Sequence, residues 1–95
     1  RSRRLLAMAT AEADVVAPRA TYKAYLYLVN ALYGTNFSMT CDGRTVAVGP
    51  DGLGEVRFRA PAQPGAASWQ GTVRVRYQGR DSTFQVRVPY RVTRP

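Results

Sequence analysis

From Thr21 onward, apolar and polar side chains alternate with a period of two, the spacing of a half-buried β-strand. Tyr22, Ala24, Leu26 and Leu28 fall on one face of a first strand, and Lys23, Tyr25, Tyr27 and Val29 on the other. Both faces are partly apolar, which predicts a central strand or one covered on both sides. Asn30 to Asn36, with Gly34, reads as a loop. Phe37, Met39 and Cys41 alternate with Ser38 and Thr40, and Asp42-Gly43 is a hairpin turn because both residues tolerate positive φ. Val46 and Val48 mark a short return strand, closed by the turn cluster Gly49-Pro50-Asp51-Gly52. Val56, Phe58 and Ala60 alternate with Glu55, Arg57 and Arg59, and Pro61 to Ser68 reads as a loop. Gly71, Val73, Val75 and Tyr77 alternate with Thr72, Arg74 and Arg76, and Gln78-Gly79-Arg80-Asp81 closes a hairpin. In the final strand Phe84, Val86, Val88, Tyr90 and Val92 share a face. Pro89 cannot donate to a ladder, so its end of that strand is an edge or a bulge.

Six to seven strands with turns between them and no helix predict an all-β, immunoglobulin-like antiparallel sandwich over residues 14–95. The Cys–Trp–Cys pattern of antibody domains is absent. Residues 1–13 are rich in Leu, Ala, Met, Arg and Glu and predict a short helical or flexible lead-in, or the end of a preceding domain. Pro18 stops any helix there by disfavouring the α conformation at Ala17. No apolar run approaches the length of a membrane span. The chain opens on Arg1 and not on Met, which predicts a piece of a longer protein.

Charge changes the picture more than composition does. Fourteen basic residues face six acidic ones in 95 residues, and every basic residue but Lys23 is Arg. Arg57, Arg59, Arg74, Arg76, Arg87 and Arg91 all take the polar phase of their strands. If those strands pair in sequence order, they form one guanidinium face suited to an acidic partner. The same residues also suit a solvated face whose stems cover apolar surface. Phosphates of nucleic acid would fit such a face. Base stacking would need exposed rings, and Tyr25 and Tyr27 lie on a different strand, which weighs against nucleic acid.

Catalytic chemistry finds little to work with. There is no His, which removes the usual neutral-pH acid–base group and the commonest zinc ligand. Cys41 stands alone in an apolar-alternating stretch and reads as a buried structural thiol. The carboxylates are scattered, and Asp42, Asp51 and Asp81 sit beside turns. Gly52-Leu53-Gly54 lacks the third Gly and the following helix of a dinucleotide loop. We therefore expect a non-enzyme without cofactor or metal. Tyr22, Trp69, Gly71 and Tyr90 carry structural weight instead. Trp69 is large enough to plug one end of the sandwich, Gly71 on the same face leaves space for a ring, and Tyr90 suits the core.

One string of residues goes further. Tyr22-Lys23-Ala24-Tyr25-Leu26-Tyr27-Leu28, Asp51-Gly52-Leu53-Gly54, Trp69-Gln70-Gly71 and the ending Pro89-Tyr90-Arg91-Val92-Thr93-Arg94-Pro95 resemble a periplasmic β domain of the GldM family (PorM in non-gliding species) of gliding motility and type IX secretion. The short segment from Pro18 to Tyr22 and the loop from Asn30 to Asn36 depart from that pattern. The resemblance implies a non-catalytic module of an inner-membrane-anchored, periplasmic homodimer. It implies a GldL-type membrane motor protein and outer-membrane-associated ring proteins as partners. The membrane would be met only through a transmembrane segment that this chain lacks. Two other readings remain open on the residues alone: a cell-surface adhesion or ligand-binding Ig-like module, and a basic nucleic-acid-binding β module.

Overall fold

The computed structural model describes residues 4–31 and 35–95. Among them are eight strands and no helix: β1 (Leu6–Ala11), β2 (Val15–Val16), β3 (Thr21–Val29), β4 (Asn36–Cys41), β5 (Arg44–Val46), β6 (Gly54–Arg59), β7 (Gly65–Tyr77) and β8 (Arg80–Val92). They form a three-stranded sheet in the order β1-β3-β6 and a five-stranded sheet in the order β2-β8-β7-β4-β5. The two sheets stack as a sandwich, with β1 across from β8 and β3 across from β7.

Residues 6–11 are a strand, which corrects the helical lead-in. Ala7, Ala9 and Ala11 turn inward while Leu6, Met8 and Thr10 turn out, so a period of two was present in small side chains. The partner decides the outcome: β1 pairs antiparallel with β3 from Leu6↔Val29 to Ala11↔Ala24, and those tertiary hydrogen bonds override helix propensity. Residues 1–3 of the lead-in and Gly34 of the expected loop lie outside the described residues.

Three further differences concern boundaries and pairing. The Pro/Gly loop is shorter than Pro61 to Ser68, because β7 already starts at Gly65. Val48 meets Gly54 in a single bridge and does not extend β5. The sheets are antiparallel except at β2, which runs parallel to the end of β8 through Val15↔Arg91 and Val16↔Val92.

The hairpin turns follow their residues. Asp42 and Gly43 have φ of 49° and 84°, and Gln78 and Gly79 have 52° and 76°, the double positive φ of a tight two-residue turn. Asp42 Oδ1 accepts from the Gln70 amide at 2.8 Å, and Asp51 Oδ1 from the Leu53 amide at 3.0 Å. Pro89 follows from the ladder. Arg91 and Thr93 donate their amides to β2, so the nitrogen at 89, of the same parity, points to that edge one rung before β2 begins. No ladder bond is lost there.

Candidate interaction surface

The core that holds the surfaces apart is aromatic at one end. Tyr22 from β3 stacks on Phe58 from β6 at 4.8 Å between centroids and meets Tyr90 from β8 at 4.6 Å. Trp69 lies edge-on to Tyr22 at 6.4 Å, and its Nε1–H donates to the Tyr22 hydroxyl at 2.8 Å. That bond satisfies the only polar atom of a ring that is 1% exposed. Burial holds the Tyr22 and Tyr90 hydroxyls above the ordinary tyrosine range, against the pull of the Trp69 bond on Tyr22. Trp69 sits inside β7 and does not open it. A Cβ at Gly71 would come within 2.8 Å of Leu26 Cδ1 and 3.0 Å of the Trp69 ring, so the glycine makes room for both.

The six arginines are all exposed but do not share a face. β6 pairs with β3, not with β7, so Arg57 and Arg59 stand on the outside of the three-stranded sheet. Arg74, Arg76, Arg87 and Arg91 stand on the opposite outside, that of the five-stranded sheet. The expectation of one patch assumed sequence-order pairing, and the crossover from β6 to the other sheet breaks it. Even on the larger face the four are divided. Arg74 and Arg76 lie toward the hairpin tip, Arg87 and Arg91 toward the other end, and the Thr72↔Gln85 rung runs between. Arg76 Nη1 pairs with Asp81 Oδ1 at 3.3 Å between two exposed side chains. Between and beside them that face carries hydroxyl and amide side chains, among them Ser38, Thr40, Thr72, Thr83 and Gln85.

The outside of the three-stranded sheet has a different chemistry. At its tip end Leu6 and Met8, 39% and 42% exposed, lie beside Val29 and Tyr27. Tyr27 and Thr10 share a hydroxyl hydrogen bond of 3.1 Å. The other end is a charge cluster. Lys23 Nζ lies 3.6 Å from both Glu12 and Glu55, and Glu55 also accepts from Arg57 at 3.0 Å. The Arg57 bond, then Lys23, holds the Glu55 carboxyl below the ordinary range. The Tyr25 phenol, then Glu12 and Glu55, holds the Lys23 ammonium above its own. Sequence reasoning missed this surface because it read residues 1–13 as a helical or flexible lead-in. The alternation of Leu6, Met8 and Thr10 was the signal.

Cys41 is half-buried at the end of β4, and burial followed by the Asp42 charge pushes its thiol up to about 11. It is a neutral thiol at neutral pH, unsuited to nucleophilic work. Each acidic side chain described above is taken up by a backbone amide or a cation. The arrangement is one of surfaces: a balanced, partly apolar face on one sheet and a basic, hydroxyl-rich face on the other.

Comparison with known proteins gives one positive result. A family model described as the GldM second domain matches residues 1–94. No curated protein and no solved structure matches.

Proposed function

The chain belongs to the family of GldM second domains, a family of gliding-motility and type IX secretion components, and on that footing we propose that it is a non-catalytic, force-transmitting module. In this reading it lies in the periplasm, in a homodimeric protein anchored in the inner membrane. It passes torque or conformational change from a GldL-type membrane motor to an outer-membrane-associated ring. The observation that carries the reading is the family match over residues 1–94.

The fold suits axial load. The molecule measures 49 × 24 × 20 Å. β1 starts at Leu6, at the hairpin-tip end, and runs toward the Tyr22–Tyr90 end, where β8 finishes at Val92. The chain therefore enters and leaves this unit at opposite ends of its long axis. Between them β7 and β8 run side by side for 13 residues each, so tension meets a long ladder loaded in parallel.

The test is replacement of this segment in the full-length protein by an unrelated sandwich of similar length. We expect secretion and gliding to stop while the protein still accumulates in the inner membrane. Normal secretion and gliding with the foreign sandwich would reduce the domain to a spacer and overturn the reading.

A further inference from the structure

Three of the other edges of the sandwich are guarded in ways natural sheets use. β2 and β5 are only two and three residues long, and β6 carries Arg57 and Arg59 on its outer face. β1 is an uncharged edge of six residues, but its inward side chains are small alanines. β8 is longer and its inward side chains are larger. From Arg80 to Val88 no described strand pairs with its outer side, because β2 reaches only Arg91 and Val92. The amides of Arg91 and Thr93 point to that side, so the amides and carbonyls of Asp81, Thr83, Gln85 and Arg87, of the same parity, point there too. Ser82 to Val86 is uncharged, and only Pro89 ends the open stretch.

The inward side chains of this strand are also unfinished. Trp69, Gly71, Val73 and Val75 of β7 are buried, whereas Phe84, Val86 and Val88 of β8 remain half-exposed. The strand across from them is β1, whose inward residues are alanines too short to cover that flank. An open edge and an uncovered apolar strip thus lie together.

We propose that this edge pairs antiparallel with the same edge of a second copy of the chain, about a two-fold axis at Phe84, joining two five-stranded sheets into one. The register follows from charge. With Phe84 opposite Phe84, Thr83 faces Gln85 of the second copy and Asp81 faces Arg87, once on each side of the axis. All four outward-pointing positions then pair with one another. Moving the axis to Gln85 sets Asp81 against Pro89 and removes a rung; moving it to Thr83 leaves Arg87 without a carboxylate. The strips of Phe84, Val86 and Val88 meet beneath the joined sheets. The inference rests on the reading above only in taking two copies side by side, and it names the surface they share.

The test is sedimentation velocity of the chain over a range of concentrations. Thr83→Pro has the same ladder parity as natural Pro89, so it blocks the edge and leaves the β7 bonds intact. We expect the chain to dimerise and Thr83→Pro to be monomeric at every concentration, with its thermal unfolding still cooperative. Asp81→Arg and Arg87→Asp should each weaken association by about tenfold, because each sets like charges opposite one another twice, and the double exchange should restore it. Should Thr83→Pro fold poorly, Phe84→Cys in a Cys41→Ser background gives a second readout. The paired α-carbons would lie about 4.5 Å apart, within disulfide reach, and a covalent dimer should form under mild oxidation. A chain that stays monomeric, or a dimer that survives Thr83→Pro and is lost in Met8→Glu, overturns the proposal. In the second case the association belongs to the outer face of the three-stranded sheet. Neither result bears on the replacement test above, which reads secretion and gliding.

Discussion

Val75 and Val86 are the same residue in the same inward phase of neighbouring strands, and they meet different fates. Val75 on β7 is 3% exposed, and Val86 on β8 is half-exposed. β7 has a strand on each side of it and β3 across from it, with Leu26 and Tyr22 filling the gap. β8 has one long neighbour and faces a strand of alanines. Burial is thus set by a strand's place in the sheet and by the size of what lies across from it. Alternation supplies only the direction in which a side chain points.

The largest effect should come from emptying the centre. Trp69→Ala removes the ring that Gly71 accommodates and leaves the Tyr22 hydroxyl unpartnered. We expect a loss of about 4 kcal/mol in urea unfolding.

The sharper comparison is Val75→Ala against Val86→Ala. The first should cost about 2 kcal/mol and the second under about 1 kcal/mol, measured on monomeric Thr83→Pro chain so that no partner covers the flank. Equal losses would mean that the flank packs as tightly as the centre.

Alkaline pH sharpens the contrast chemically. Burial raises Tyr22 and Tyr90 above the ordinary tyrosine range and Cys41 to about 11. The unfolded chain therefore gives up these protons first, and stability that is full below the ordinary values falls as pH rises through the folded ones. For Cys41 that window runs from its ordinary 9.0 to about 11. Melting temperature should decline through this window, and less steeply in Cys41→Ala.

The smallest effect belongs to the surface. Glu55 is held low by Arg57 and Lys23, so its contribution is present above the ordinary carboxylate range and fades as acid protonates it. Glu55→Gln should flatten the acid limb of the melting curve slightly and leave the neutral-pH value almost unchanged, as exposed ion pairs do.

Much of the fold was legible because it depends on local rules. Asp42-Gly43 and Gln78-Gly79 have few other backbone options than a tight turn, and the alternation from Tyr22 to Leu28 and from Phe84 to Val92 points each side chain correctly. The aromatic and small residues singled out, Tyr22, Trp69, Gly71 and Tyr90, are drawn from types whose size makes a core position informative. The lead-in was misread for an equally local reason. Leu6 to Ala11 favours helix in isolation, and only the open edge of β3 turns it into a strand.

By itself the sequence determined the main strands from Thr21 onward, the turns between them, the direction of their side chains and, through its string of matching residues, the family. It could not determine which strand lies beside which, because pairing order depends on crossovers between sheets that leave no periodic trace. Only the tertiary structure divided Arg57 and Arg59 from Arg74, Arg76, Arg87 and Arg91, set Leu6 and Met8 beside Tyr27, and left the outer side of β8 from Arg80 to Val88 without a partner among the described strands. A surface is made of residues distant in the chain, so its chemistry is decided where the strands meet.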